Sequence, residues 1–286
     1  MGTIASETVT VIEPRLPGLR ERLRELIAYR RLMPYFAGRA LEKTYARTKL
    51  GVPWLVVRPL GDTATRAFVF GSVLNAPSAA GAPYFLFFLV GMSAWHLFDR
   101  SLLWSTRSLE LNRRLLTKLY FPRLVLPFAG VAPALVEFGV YLVLIAGTLG
   151  YFAISDGHLY LAAAPRLLTA LAGYLIAAGL AIGLGLWTSV LGANARDVRF
   201  SLRYVTEAWF FLTPVIYPLS ALPHVARELV WFNPMTPAVE LVKWGVIGAG
   251  TVHVGPLVAS LAVIVAIWTG GLRFFGRAES AAVDRL

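Results

Sequence analysis

Residues 167–195 read LLTALAGYLIAAGLAIGLGLWTSVLGANA, with no Asp, Glu, Lys or Arg among them. A hydrocarbon core about 30 Å thick takes roughly 20 apolar helical residues, so this stretch is long enough to cross a bilayer. Gly173, Gly179, Gly183 and Gly185 recur along it with Ala172, Ala177, Ala178 and Ala181, a small-residue surface that lets a neighbouring helix approach closely. Helix packing, not catalysis, accounts for those glycines. The remainder of the 286-residue chain has the same character: 57% hydrophobic, 15% charged, mean hydropathy +0.64. A soluble domain carries about 25% charged residues and roughly 45–50% apolar ones, which excludes a water-soluble enzyme as the starting point.

Other charge-poor runs flank this one. Residues 67–98 are split by Asn75, Pro77, Ser78, Gly81 and Pro83 into spans near 53–75 and 84–104. A third span lies near 124–152, before the polar Ser155-Asp156-Gly157-His158. The fourth is 167–195, a fifth covers about 204–222, and a last one about 253–273. The apolar segment 228–250 contains Asn233-Pro234 and Pro237, which break a spanning helix, together with Glu228, Glu240 and Lys243. It reads instead as a non-spanning hairpin.

Net charge is +11, and the basic residues are placed unevenly. Residues 1–52 hold ten, 100–123 six, 192–203 three and 273–286 three of the 27 Lys and Arg. Cytoplasmic loops carry such an excess. Six spans put both termini and every basic loop inside, whereas seven would place Arg273, Arg277 and Arg285 outside. The expectation is an all-α integral membrane protein. It has a cytoplasmic N-terminal segment over 1–52, a six-span domain over 53–274 with a short re-entrant or external helical hairpin at 223–250, and a tail over 275–286. The basic surplus points to membrane lipids and not to nucleic acid.

Residues 1–17 include Glu7 and Glu13 and lack the apolar core of a cleavable leader. In the following stretch Leu19, Leu23, Leu26 and Ile27 share one helical face, while Arg20, Glu21, Arg24 and Glu25 occupy the others. A basic amphipathic helix of this kind lies in the headgroup plane.

Chemistry of the chain's own is scarce. No Gly-Lys dipeptide exists, so there is no phosphate loop for ATP. The four histidines are scattered without ligand spacing, no Gly-x-Ser-x-Gly occurs, and there is no cysteine. No metal or cofactor is expected in this chain, and energy for uphill movement must come from elsewhere. Charges within the spans are costly and face protein or water. Asp62 and Arg66 are four apart and able to pair, Glu137 sits in the third span and Glu207 in the fifth. Helix packing and a pathway lining both remain open for them. Aromatics form a second group: Trp95 and Phe98 in the second span, Trp209, Phe210, Phe211 and Tyr217 in the fifth. Interfacial anchoring explains such residues, as does stacking on the apolar faces of sugar rings.

Three ordered blocks resemble the membrane subunit of bacterial ATP-binding-cassette exporters of lipid-linked polysaccharides, the family of O-antigen, teichoic acid, capsule and galactan export. The first is Tyr45-Ala-Arg47-Thr-Lys49-Leu-Gly51-Val-Pro-Trp54, ahead of the first span. The second is Asn112-Arg-Arg-Leu-Leu-Thr-Lys118-Leu-Tyr-Phe121-Pro122-Arg123. The third comprises Ala195-Arg196-Asp197-Val198, Thr213-Pro214-Val215-Ile216-Tyr217-Pro218 and Asn233-Pro234-Met235-Thr236-Pro237.

The resemblance implies a homodimeric permease in the bacterial inner membrane with its channel along the dimer interface. Two ATPase subunits would carry the ATP and magnesium, and the cargo would be an undecaprenyl-type lipid-linked glycan. It implies a cytoplasmic gate helix bearing Leu19, Leu23, Leu26 and Ile27. An ATPase-coupling loop would contain Arg107, Glu110, Asn112, Arg113, Arg114 and Lys118. Arg47, Lys49 and Arg58 would lie near the lipid pyrophosphate, and Trp95, Phe98, Trp209, Phe210, Phe211 and Tyr217 would line the channel. A drug or small-lipid exporter of the same superfamily is the nearest alternative. A membrane-embedded transferase would need a convergent acidic or histidine cluster, and an ion-coupled carrier would show two related halves.

Overall fold

The computed structural model describes residues 19–45, 51, 53–116 and 122–284, and the regular structure among them is entirely helical. The helices are α1 (Leu19–Ala28), α2 (Leu32–Tyr45), α3 (Trp54–Ala67), α4 (Tyr84–Leu111), α5 (Arg113–Leu116), α6 (Val125–Ala129), α7 (Val131–Ser155), α8 (Leu167–Asn194), α9 (Arg196–Phe211), α10 (His224–Trp231), α11 (Thr236–Ile247) and α12 (Val254–Asp284). A π-helical turn, Phe68–Val73, continues α3. Three stretches, Val125–Ser155, Ala164–Asn194 and Val254–Ala278, are each long and apolar enough to cross a bilayer.

The centre of the body is α4, which packs against α7, α8 and α11. Its residues from Leu86 to Phe98 are all buried, Ser93 and His96 included, and Ser101, Ser105, Thr106 and Ser108 extend the buried polar set toward its C-terminal end. Ser93, His96 and Thr106 find partners inside the protein, Tyr174, Glu137 and Thr188, as buried polar groups require. Along α8 the glycine row faces three partners in turn. A Cβ at Gly173 would come within 2.5 Å of the Ala238 carbonyl oxygen on α11, one at Gly183 within 2.7 Å of the Trp268 ring on α12, and one at Gly185 would meet Ser105 on α4. Trp268 also donates its indole N–H to the Gly179 carbonyl at 2.7 Å.

Three elements differ from the sequence reading. The stretch 204–222 is not one helix: α9 starts earlier, at Arg196, and ends at Phe211, and residues 212–217 form turns. Pro214 and Pro218 cannot supply the N–H groups that would carry the helix onward. At 16 residues, α9 is about 24 Å long, shorter than a bilayer core. A second N-terminal helix, α2, was not foreseen; its Phe36 and Ala37 are buried and it packs on α6 and α7. Finally, Asp62 and Arg66 do not form an ion pair among the described residues, and the Arg66 guanidinium lies instead over the Phe210 ring, 4.8 Å from its centroid. The π interaction with a buried ring replaces a solvent-screened i, i+4 pair. The hairpin at 223–250 is present as α10 and α11, and eleven of the twelve residues of α11 are buried between α8 and α4.

Glu137 serves packing. Its Oε2 lies 3.1 Å from His96 Nε2 and 3.1 Å from Arg100 Nε, both on α4. The Tyr141 hydroxyl stands 3.4 Å from His96 Nδ1, and Thr63 of α3 approaches that hydroxyl at 3.5 Å. One buried polar chain therefore ties α3, α4 and α7.

Substitutions at Gly173, Gly139 and Glu137 test this packing by thermal unfolding of the solubilised protein. Gly173→Ala forces α8 from α11 and should cost about 1–3 kcal/mol, whereas Gly139→Ala, where a Cβ meets nothing within 4 Å, should be neutral or stabilising. Glu137→Ala strands Arg100 and should cost about 3–5 kcal/mol, most of which a double replacement of Arg100 and Glu137 by leucine should restore.

Candidate functional site

Outward-facing residues sort the helices into two kinds. On α7, α8 and the first 19 residues of α12 no charged side chain is exposed; Leu142, Val143, Leu168, Leu175, Val258 and Val265 typify what they present. The other kind comprises α3 and α9. Trp54, Arg58, Gly61, Asp62 and Thr65 are all exposed on α3, spaced so that they share one face. On α9, Phe200, Arg203, Tyr204, Glu207 and Phe211 do the same.

The two helices meet near their C-terminal ends. Arg66 of α3 lies over Phe210 of α9, and the Phe70 and Phe211 rings stand 6.4 Å apart. Asp62 lies about one turn before Arg66 on α3 and Glu207 about one turn before Phe210 on α9, with Arg58 and Arg203 a further turn back on their own helices. The depth of the faces follows from Thr63, which meets Tyr141 halfway along α7, a helix long enough to span. Among the described residues, no hydrogen bond or ion pair engages the side chains of Arg58, Asp62, Arg203 or Glu207. Arg203 and Tyr204 went unnoticed in the sequence, although the Arg-x-x-x-acid spacing of 58/62 recurs at 203/207 and could have flagged them.

The aromatic residues divide. Trp95, Phe98 and Phe210 are buried, and with Trp209 they form one edge-packed cluster with ring centroids 5.1–6.4 Å apart. In this chain their surfaces are covered by one another, as aromatic pairs prefer. Phe211 is exposed and Tyr217 half-buried, its hydroxyl donating to the Phe211 carbonyl at 3.2 Å.

Beyond α9 the proline-rich blocks of the sequence interlock. Asn233 accepts from the Trp209 indole at 2.8 Å and donates to the Leu212 carbonyl and to Thr213 Oγ1 at 3.2 and 2.9 Å. Fully buried Lys243 donates to the Pro214 carbonyl, and its ammonium sits 3.8 Å from the Phe87 ring centroid. The Tyr84 hydroxyl donates to the Ile216 carbonyl at 3.0 Å. Carbonyls freed where the helix stops thus find donors on α11, α4 and the α10–α11 turn, as buried backbone groups must. Glu240 accepts from the Thr251 N–H at 2.8 Å and so fixes the approach to α12.

At the opposite end α4 runs through Arg107 and Glu110, both exposed, to Asn112, whose amide donates to the Ser108 carbonyl at 2.9 Å. Glu110 pairs with Arg199 of α9 at 2.5 Å. Arg113 and Arg114 are exposed on α5. On α1 Leu26 is buried and Ile27 exposed, and the side chains of Leu19 and Leu23 lie outside the described part. Arg47, Lys49 and Lys118 also fall outside the described residues. Among the described residues no three His, Asp or Glu side chains gather to hold a metal ion.

A glycine-lined helix in close contact with three others, a buried helix (α11) ahead of the last one and exposed charges on two helices suit a membrane domain. Comparison with known proteins agrees. The ABC-2 type transporter family matches residues 32–247. An O-antigen export system permease, RfbA, of Myxococcus xanthus is 28% identical over 269 residues, covering 91% of this chain and 97% of that protein. A protein of the same name from Klebsiella pneumoniae is 24% identical over 216 residues, covering 74% and 78% respectively. The family match takes in most of the chain, α2 through α11, and the chain belongs to the ABC-2 type transporter family.

Proposed function

We propose that this chain is the permease subunit of a bacterial exporter that moves a lipid-linked polysaccharide across the inner membrane. The observation that carries this reading is similarity along 97% of a relative named for O-antigen export. The chain works as a homodimer, and two ATPase subunits hold the ATP and magnesium. It crosses the bilayer six times, through α3, α4, α7, α8, α9 with its following turns, and α12, with both termini cytoplasmic. Residues 1–52 form the cytoplasmic N-terminal part, 53–274 the membrane domain and 275–286 the tail.

Charges on the outside of α3 and α9 that have no ion-pair partner among the described residues support the dimer. At bilayer depth such groups face water or protein, not lipid, and a second copy opposing this face would enclose them in a conduit. Phe211 and Tyr217 lie on that side, where aromatic planes can stack on sugar rings, while Trp95, Phe98, Trp209 and Phe210 stiffen the wall behind. Arg58, with Arg47 and Lys49 on the chain leading to it, stands where a pyrophosphate would arrive, since charge-assisted bonds hold a phosphate dianion. α1 lies on the headgroup plane as a gate. The end of α4 and α5 presents Arg107, Glu110, Asn112, Arg113 and Arg114, with Lys118 beyond, to the ATPase. Through the Glu110–Arg199 pair a push on this end reaches α9 directly.

Two measurements test the reading. An ATPase should co-purify with the tagged chain, and replacing Arg107, Arg113 and Arg114 together by alanine should weaken that association by at least about tenfold, equivalent to roughly 1.4 kcal/mol; unchanged association would remove the coupling assignment. Membranes lacking the chain should accumulate glycan on the cytoplasmic face, and restoring it should return the glycan to the outer surface. Glycan that reaches the outside without the chain would overturn the cargo.

A further inference from the structure

The two halves of α9 are held to the rest of the chain in different ways. Beyond Val205, Thr206 and Phe210 are buried and the Trp209 indole donates to Asn233. From Arg196 to Val205 no residue is buried: Val198, Arg199 and Leu202 are half-buried and the other seven are exposed. Ala195, the single residue between α8 and α9, is extended, with φ −136° and ψ 120°. The helical path of α8 therefore does not run on into α9, and side-chain contacts must fix the direction in which the N-terminal half of α9 leaves it.

Arg199 is placed to do this. Its guanidinium pairs with Glu110 of α4 and its side chain is only 13% exposed. Its stem crosses α8 at Gly192, where a Cβ would come within 2.9 Å of Arg199 Cγ and 3.3 Å of Thr106 Cγ2 on α4. The two helices that form this notch are joined beside it: Thr106 is buried, and its hydroxyl shares a 2.6 Å hydrogen bond with that of Thr188 on α8. We propose that Arg199 is a positioning residue, a clasp that sets the N-terminal half of α9, with Arg203 and Tyr204 on it, against α4, and that Gly192 is the notch that admits its stem. Resting on the permease reading above, the clasp also narrows the ATPase-facing set. The Glu110 carboxylate is committed to α9, and docking falls to Arg107, Arg113 and Arg114. An ion pair with one partner half open to water adds little to global stability, so the clasp can be broken with the fold intact.

Hydrogen–deuterium exchange of the full-length chain in lipid nanodiscs tests the clasp, because exchange reports local opening. With Arg199→Gln, amides 200–205 should exchange several-fold faster, while those of 206–211 and of α4 keep their rates and the thermal midpoint is unchanged. Glu110→Gln should do the same. Gly192→Ala, which keeps both charges but fills the notch, should reproduce the effect, and Gly139→Ala, with open space around it, should not. Unchanged exchange at 200–205 would overturn the proposal, as would a rise spread over α4 and the whole of α9, the mark of general loosening. ATPase bound to the chain should stay bound with Glu110→Gln; its loss from that change alone would return Glu110 to the docking set and overturn the assignment. A chain that shows the localised rise but holds no ATPase and moves no glycan would keep the clasp and remove the permease reading, so the two failures are distinguishable.

Discussion

A charge without a partner cannot be left against hydrocarbon, and this constraint organises the molecule. Where the chain has its own partners it buries the charge: Glu137 sits between His96 and Arg100, and Lys243 between the Pro214 carbonyl and the Phe87 ring. Where it has none among the described residues, at Arg58, Asp62, Arg203 and Glu207, the charges are exposed on α3 and α9. On α7, α8 and the first 19 residues of α12 the outer surface carries no charge. The division into a lipid-facing side and a side that needs water or a second copy follows directly.

The buried set gives that face its rigidity. Thr63 and Tyr141 link α3 to the Glu137 cluster, and Asn233, Lys243 and Tyr84 secure the backbone where α9 stops. α9 can therefore end at Phe211 without stranded carbonyls, continued by the turns and braced by the buried helix α11. The ion pair between Glu110 and Arg199 joins the other end of α9 to the end of α4. In the proposed coupling, that ion pair is the link from the end of α4 to α9.

Much of this was legible in the sequence because it rests on hydrophobic periodicity and helix breakers. The charge-free run at 167–195 became α8, its glycines became the close contacts to α4, α11 and α12, and Pro237 with Asn233-Pro234 marked the hairpin. What escaped was decided by tertiary partners. Nothing local says that Arg66 prefers the Phe210 ring to Asp62, because the ring arrives from 144 positions away. The stop at Phe211 was hidden by continued apolarity through Val215 and Ile216, residues that are buried without being helical. Helix α2 carries polar and apolar residues in too weak a pattern to announce the packing of Phe36 and Ala37 on α6 and α7. Trp95, Phe98 and Phe210 read equally well as lining or as core, and burial places them in the core of this chain.

The claim that two copies meet across α3 and α9 is tested most directly by cross-linking single cysteines in native membranes. Gly61 lies on the charged face with open space around it, and Leu175 on the apolar exterior of α8. With a flexible bifunctional thiol reagent, Gly61→Cys should yield covalent dimers and Leu175→Cys should remain monomeric. Dimers from Leu175→Cys alone, in a chain that still exports, would contradict it.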